Sequence, residues 1–167
     1  ATAVFNMLSG YSEPLSWNRL SLAPIWLKNK FLKLIRREQE NAKAGNEAYI
    51  KAKMNSLSDP VIIAALYEAS AAGVKIDLVV RGICCLKTGI PGVSENITVR
   101  SIVGNFLEHS RIYWFCNGGH EEVYLASADW MPRNLDRRVE ILFPVDDEAL
   151  KERVMDILKL ELEDNVK

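Results

Sequence analysis

Cysteine and histidine are scarce in this 167-residue chain, and neither sign of charge dominates. It carries three cysteines, two histidines, and 21 Lys+Arg against 22 Asp+Glu, for a formal net charge of −1. An odd cysteine count without CxxC spacing excludes a disulfide framework and a cysteine zinc site. It points to a reducing compartment, hence the cytosol, and leaves the adjacent Cys84 and Cys85 to be read as small buried hydrophobes. The charge balance argues against a general nucleic-acid binder, which gathers basic residues into one footprint. Long apolar runs are missing as well. Val61–Leu66 and Ile83–Leu86 fall far short of the roughly 20 residues that cross a bilayer. No basic stretch leading into an apolar one opens the chain, so no secretory leader is expected. The phosphate cradles GxxxxGK[ST] and GxGxxG do not occur, nor does a metal-ligand constellation.

What is present is globular: 49% hydrophobic and 26% charged residues, in a length that suits one domain. A short opening helix is expected before a break at Gly10 and Pro14, then a strand at Trp17–Leu22. From Ala23-Pro24 to about Ala44, Leu27, Phe31, Leu34 and Ile35 recur at helical spacing, with Gly45 as the stop. Ala48–Met54 alternates as a strand. Asp59 and Pro60 then read as the cap and first residue of a helix that Gly73 ends. Lys75–Arg81 is a buried strand. Shorter strands are expected near Ile97–Ile102, Arg111–Phe115, Glu122–Ser127 and Arg138–Pro144. A final helix is capped by Asp146 or Asp147 and bears Leu150, Val154, Ile157, Leu158 and Leu162 on one face. Strands alternating with helices imply a layered α/β fold, and the late cluster of strands implies a mixed sheet.

Few side chains here suit chemistry. His120 follows Gly118-Gly119 and reads as an exposed turn residue. His109 stands before a strand, where α/β folds place ligand sites, and Arg111 shares its face of the extended chain; a structural histidine fits that spacing equally well. Arg81 closes an apolar strand, so its guanidinium should emerge at the strand end, suited to a phosphate. Arg133, Arg137 and Arg138 interleave with Asp129, Asn134 and Asp136, either as an anion site or as an ion-pair network.

Several stretches together resemble the C-terminal catalytic half of the long-chain-synthesising polyphosphate kinase family. They are Asn55-Ser-Leu-Ser-Asp59, Val79-Val-Arg-Gly-Ile-Cys-Cys-Leu86, Ser101-Ile-Val-Gly104, Phe106-Leu-Glu-His-Ser-Arg-Ile112 and the run from Ala128 to Glu140 (ADWMPRNLDRRVE). Val4-Phe-Asn-Met-Leu-Ser-Gly-Tyr11 resembles the family's junction between its two catalytic domains. The chain also lacks an initiator Met. Residues 1–14 are therefore expected to be the end of a preceding domain, and 15–167 a single C-terminal domain similar to one half of a phospholipase D. His109-Ser110-Arg111 stands where phospholipase D has His-x-Lys, and Arg for Lys is a departure shared with the kinase family.

The resemblance implies reversible transfer of the ATP γ-phosphate to a growing polyphosphate chain, through a phosphohistidine held in the upstream domain. It implies ATP/ADP, polyphosphate and the upstream domains as partners, a homo-oligomer at full length, and no nucleic acid. It also implies magnesium (Mg2+), with no ligands in this chain. A cytosolic enzyme is expected, with peripheral membrane association open to the family. By position, Arg81 and His109 match the family's nucleotide-contacting arginine and second active-site histidine. Arg137 and Arg138 match a basic site along the phosphate channel. On this mapping the isolated chain does not make polyphosphate. Two other readings are a phosphodiesterase pairing two copies of His109 in a dimer, and a non-catalytic polyanion-binding module.

Overall fold

The computed structural model describes residues 5, 8–10, 21–24, 26–102 and 109–163. Apolar periodicity builds its first helix, α1 (Leu27–Lys43), which buries Leu27, Phe31, Leu34 and Ile35. Helix α2 (Pro60–Ala71) begins where the Asp59 carboxylate accepts the N–H groups of Val61 and Ile62, both at 3.0 Å. Those donors would otherwise be orphaned at the helix start. Helix α3 (Glu148–Glu163) takes Asp147 as its cap, through the Leu150 N–H at 3.0 Å.

The strands are β1 (Ser21–Leu22), β2 (Tyr49–Met54), β3 (Lys75–Val80), β4 (Ile97–Arg100), β5 (Ile112–Phe115), β6 (Glu122–Ala126) and β7 (Ile141–Pro144). Their order in the sheet is β1-β7-β6-β5-β2-β3-β4. β2, β3 and β4 run parallel, while β5, β6, β7 and β1 join by antiparallel pairing. The expected mixed sheet is therefore present. It is covered on both faces. Ile50, Met54, Leu78 and Tyr113 pack under α1 and α2, and Val79, Ile112 and Trp114 pack against Leu158 and Leu162 of α3. Among the described residues no helix is long and apolar enough to cross a membrane.

Several expectations need correction. Cys84 and Cys85 are exposed and only Cys116 is buried, because β3 ends at Val80 and the next residues run along the rim of the sheet. The apolar stripe of α3 packs mainly in its C-terminal half. Leu150 and Ile157 stay about half exposed. Six strands are shorter than expected: β2 begins at Tyr49, β3 ends at Val80, β4 at Arg100 and β6 at Ala126, while β5 begins at Ile112 and β7 at Ile141. In the last two cases the polar residues ahead of the strand belong to the site described below. Of the expected strand at Trp17–Leu22, Ser21–Leu22 pairs with β7, and 17–20 lie outside the described residues. Phe5 and Leu8 are helical; the rest of the opening helix lies outside them too.

One buried acid sits at the far end of the sheet from that site. Glu38 of α1 is fully buried and accepts the Asn117 N–H at 2.7 Å. Burial raises its pKa despite that bond and the nearby Arg37. A folded-state pKa above the unfolded value means that its stabilising contribution is complete at low pH and fades as pH rises through the raised value. Glu38→Gln keeps an acceptor for Asn117 and carries no charge. Thermal denaturation across pH should show the variant gaining on the wild type as pH climbs above the ordinary glutamate range; a pH-independent difference would contradict this.

Candidate functional site

β2, β3 and β6 finish, and β5 and β7 start, at one end of the sheet. This is the carboxyl end of its parallel strands, where open α/β sheets bind ligands. Asn55 and Arg81 follow β2 and β3 there. His109, Ser110 and Arg111 precede β5, and Ser127, Ala128 and Asp129 follow β6.

The organising group is the Asp129 carboxylate, almost fully buried. Its Oδ1 accepts the Asn55 backbone N–H at 2.8 Å and Arg111 Nε at 2.9 Å, and Oδ2 takes Arg111 Nη2 at 3.4 Å. Three chain segments, after β2, before β5 and after β6, thus meet on one carboxylate. Arg111 also donates from Nη1 to the His109 carbonyl at 3.2 Å, so the guanidinium fixes the backbone that presents His109. The His109 ring is exposed, with Asn55 Nδ2 3.5 Å from its Nδ1. Arg111, which shares a face with His109 in the extended chain, is paired with Asp129.

A second polar chain supports the first. The Asp129 N–H donates to Asn134 Oδ1 at 3.1 Å, and Asn134 Nδ2 donates to Glu140 Oε1 at 3.4 Å. The Ser127 hydroxyl donates to the other Glu140 oxygen and accepts the Ile141 N–H at 3.0 Å. These bonds close a loop over one turn of π-helix, Arg133–Arg137, of the kind often found at functional sites. The turn buries Asn134 and Leu135 and leaves Arg133, Arg137 and Arg138 exposed. Lys28 braces it by pairing with both Asp136 (3.2 Å) and the α2 cap Asp59 (2.9 Å). The acids of the Arg/Asp interleaving therefore pair outside the weave, Asp129 with Arg111 and Asp136 with Lys28. The acids hold structure, while no described carboxylate forms an ion pair with Arg133, Arg137 or Arg138.

Beneath Ser110 lies Lys53, whose side chain is fully buried, with its ammonium 2.7 Å from Ser110 Oγ and 3.1 Å from Glu161 of α3. A lysine on the alternate face of an apolar strand reads from sequence as solvent-facing, so its role is missed. Gly82 completes the edge. Its N–H donates to the Asn55 carbonyl at 2.6 Å, and a Cβ there would lie 2.8 Å from that oxygen; only glycine lets β3 exit this close to Asn55.

All four residues singled out from sequence come to this edge: Arg81 half-buried, and His109, Arg137 and Arg138 exposed. Lys53, Asn55, Asn134 and Glu140 are the supports that sequence reasoning did not assign. The signals for them are the position of Asn55 directly after a strand and the place of Asn134 among the interleaved arginines and acids.

A family model described as polyphosphate kinase C-terminal domain 2 matches residues 20–167. The chain belongs to that family. It is 56% identical to the polyphosphate kinase of Halalkalibacterium halodurans across 100% of this chain and 24% of that protein. The crystal structure of polyphosphate kinase from Porphyromonas gingivalis matches with a TM-score of 0.94 and 47% identity, over 99% of this chain and 26% of that one. The chain therefore spans about a quarter of the length of these relatives. Nuc from Salmonella typhimurium, a phospholipase D family member, matches at a TM-score of 0.57 and 18% identity, over 83% of this chain and 91% of that one. That likeness is one of fold, and the fold is phospholipase D-like.

Among the described residues no three His, Cys, Asp or Glu side chains are grouped to hold a metal ion, and Asp129 is already engaged.

The clamp has a measurable consequence. Asp129→Asn removes the forked ion pair to Arg111 and should cost about 2 kcal/mol, less than a fully buried pair because a fifth of the Arg111 side chain meets water. Urea denaturation reads this, and an unchanged midpoint would argue against the clamp. Arg111→Lys should not substitute, since a single ammonium cannot repeat the forked contact.

Proposed function

We propose that this chain supplies the nucleotide- and polyphosphate-contacting part of a polyphosphate kinase active site. In that reading the whole enzyme moves the ATP γ-phosphate reversibly to a growing polyphosphate chain, through a phosphohistidine that lies outside this chain. The observation that carries the reading is His109: an exposed imidazole at the sheet's carboxyl edge, its backbone fixed by an arginine that Asp129 already neutralises.

Each residue then has a task set by charge. A transferring phosphoryl group needs positive charge on its oxygens and alignment more than covalent help. Arg81 would hold phosphate oxygens of the nucleotide. His109 would donate a proton or hydrogen bond to the oxygen that departs with ADP, or steady a phosphoryl oxygen. Arg137 and Arg138 would guide the polyphosphate. With strands about 4.8 Å apart, the ends of β3 and β7 lie about 19 Å from each other. A row of cations of that length suits an extended polyanion better than a lone phosphate. Oligomeric assembly and a cytosolic setting belong to the whole enzyme in this proposal. Magnesium does too, and no described residue is assigned to it.

Binding of ADP and tripolyphosphate by the 167-residue chain tests the proposal. Arg81→Ala and His109→Ala should each weaken binding about tenfold, the worth of one charge-assisted contact, at two salt concentrations. The exposed α3 variant Arg153→Ala should behave as wild type. Equal effects from all three would reduce the site to diffuse charge and overturn the reading.

A further inference from the structure

The site described above leaves one pair of thiols unused. Cys84 and Cys85 are exposed, adjacent thiols two residues beyond Arg81-Gly82. Cys116 is buried, and burial raises its thiol pKa, which keeps it out of thiolate chemistry.

The backbone around the pair is tied to the site by a short ladder. The Leu57 N–H donates to the Ile83 carbonyl, and the Cys85 N–H donates to the Leu57 carbonyl, both at 2.8 Å. Leu57 thereby bridges Cys84 on one side and Trp130 on the other. The Ser58 and Asp59 N–H groups both donate to the Trp130 carbonyl at 2.9 Å. Asn55, two residues before Leu57, gives its N–H to Asp129 and stands beside His109. One narrow strip, Asn55–Leu57, therefore lies between the thiols and the Asp129 clamp.

We propose that Cys84 and Cys85 are a redox-modifiable thiol pair whose joining in a disulfide unlocks this strip and loosens the seat of His109. In the bridge to Leu57 the chain is extended, so successive side chains alternate in direction. A disulfide needs β-carbons about 3.5–4.5 Å apart on converging vectors. Ring closure therefore turns Cys85 over and withdraws its N–H from Leu57.

The oxidant is a peroxide. It converts one thiol to a sulfenic acid as its O–O bond breaks and water leaves. The second thiol attacks that sulfur, the S–S bond forms, and a second water departs. Two electrons pass from the thiol pair to the peroxide. A strained, exposed disulfide is easily reduced, so a dithiol reverses the change.

The test treats the 167-residue chain, Cys84→Ser and Cys85→Ser with hydrogen peroxide, then with dithiothreitol. Intact mass, peptide mapping and amide hydrogen exchange are followed. The wild type should lose the mass of two hydrogens within a peptide holding both cysteines. Its Cys85 amide should exchange about tenfold faster, and dithiothreitol should restore both. Neither serine variant should form the ring or change its exchange. Oxygen added to a single thiol, a disulfide between two chains, or a ring that leaves exchange unaltered would each overturn the proposal. Any loss of anion binding on oxidation rests on the function proposed above. The mass and exchange readouts do not, so failure of either reading can be told from failure of the other.

Discussion

The Asp129 carboxylate is the constraint on which the functional edge depends. It accepts the Asn55 N–H and the Nε and Nη2 donors of the Arg111 guanidinium, so the segments after β2, before β5 and after β6 cannot move independently. A buried carboxylate is costly unless its lone pairs are satisfied. Here that cost is met by donors on the very segments the site needs in register. The arrangement also separates two positive roles. Arg111 is held as structure, while Arg81, Arg137 and Arg138 remain at the edge.

The fold explains why the supports come from so many places. Parallel β2 and β3 deliver Asn55 and Arg81 by their carboxyl ends. Antiparallel β5, β6 and β7 bring a strand start, a strand end and another strand start to the same rim. Helices cover both faces, so the rim is where polar side chains can collect. The Asn134–Glu140–Ser127 chain then fixes the turn carrying Arg133, Arg137 and Arg138, and Lys28 anchors that turn to the cap of α2. Packing sets the strands, and buried hydrogen bonds set the residues between them.

Local signals in the sequence reached the elements. The Asp59-Pro60 cap, the helical spacing of Leu27, Phe31 and Leu34, and the alternation of β2 are properties of neighbours in the chain. They survive without knowledge of the partner strands. Arg81 and His109 stand out in the sequence because they flank strands and because the surrounding motifs resemble a family. The supports were not visible. Asn55 meets Asp129 across 74 positions and Lys53 meets Ser110 across 57, and such pairings exist only once register is set. The same blindness to tertiary placement put Cys84 and Cys85 in the core when they lie on the rim.

In the proposed function His109 is an imidazole presented to the anion. The chain holds its own control. His120, the other histidine, is exposed in the β5–β6 turn at the opposite end of the sheet. The most direct measurement is an NMR titration of the two imidazole rings with tripolyphosphate. The account predicts saturable movement of the His109 resonances with His120 unmoved. Equal movement of both, or movement of neither, would contradict it.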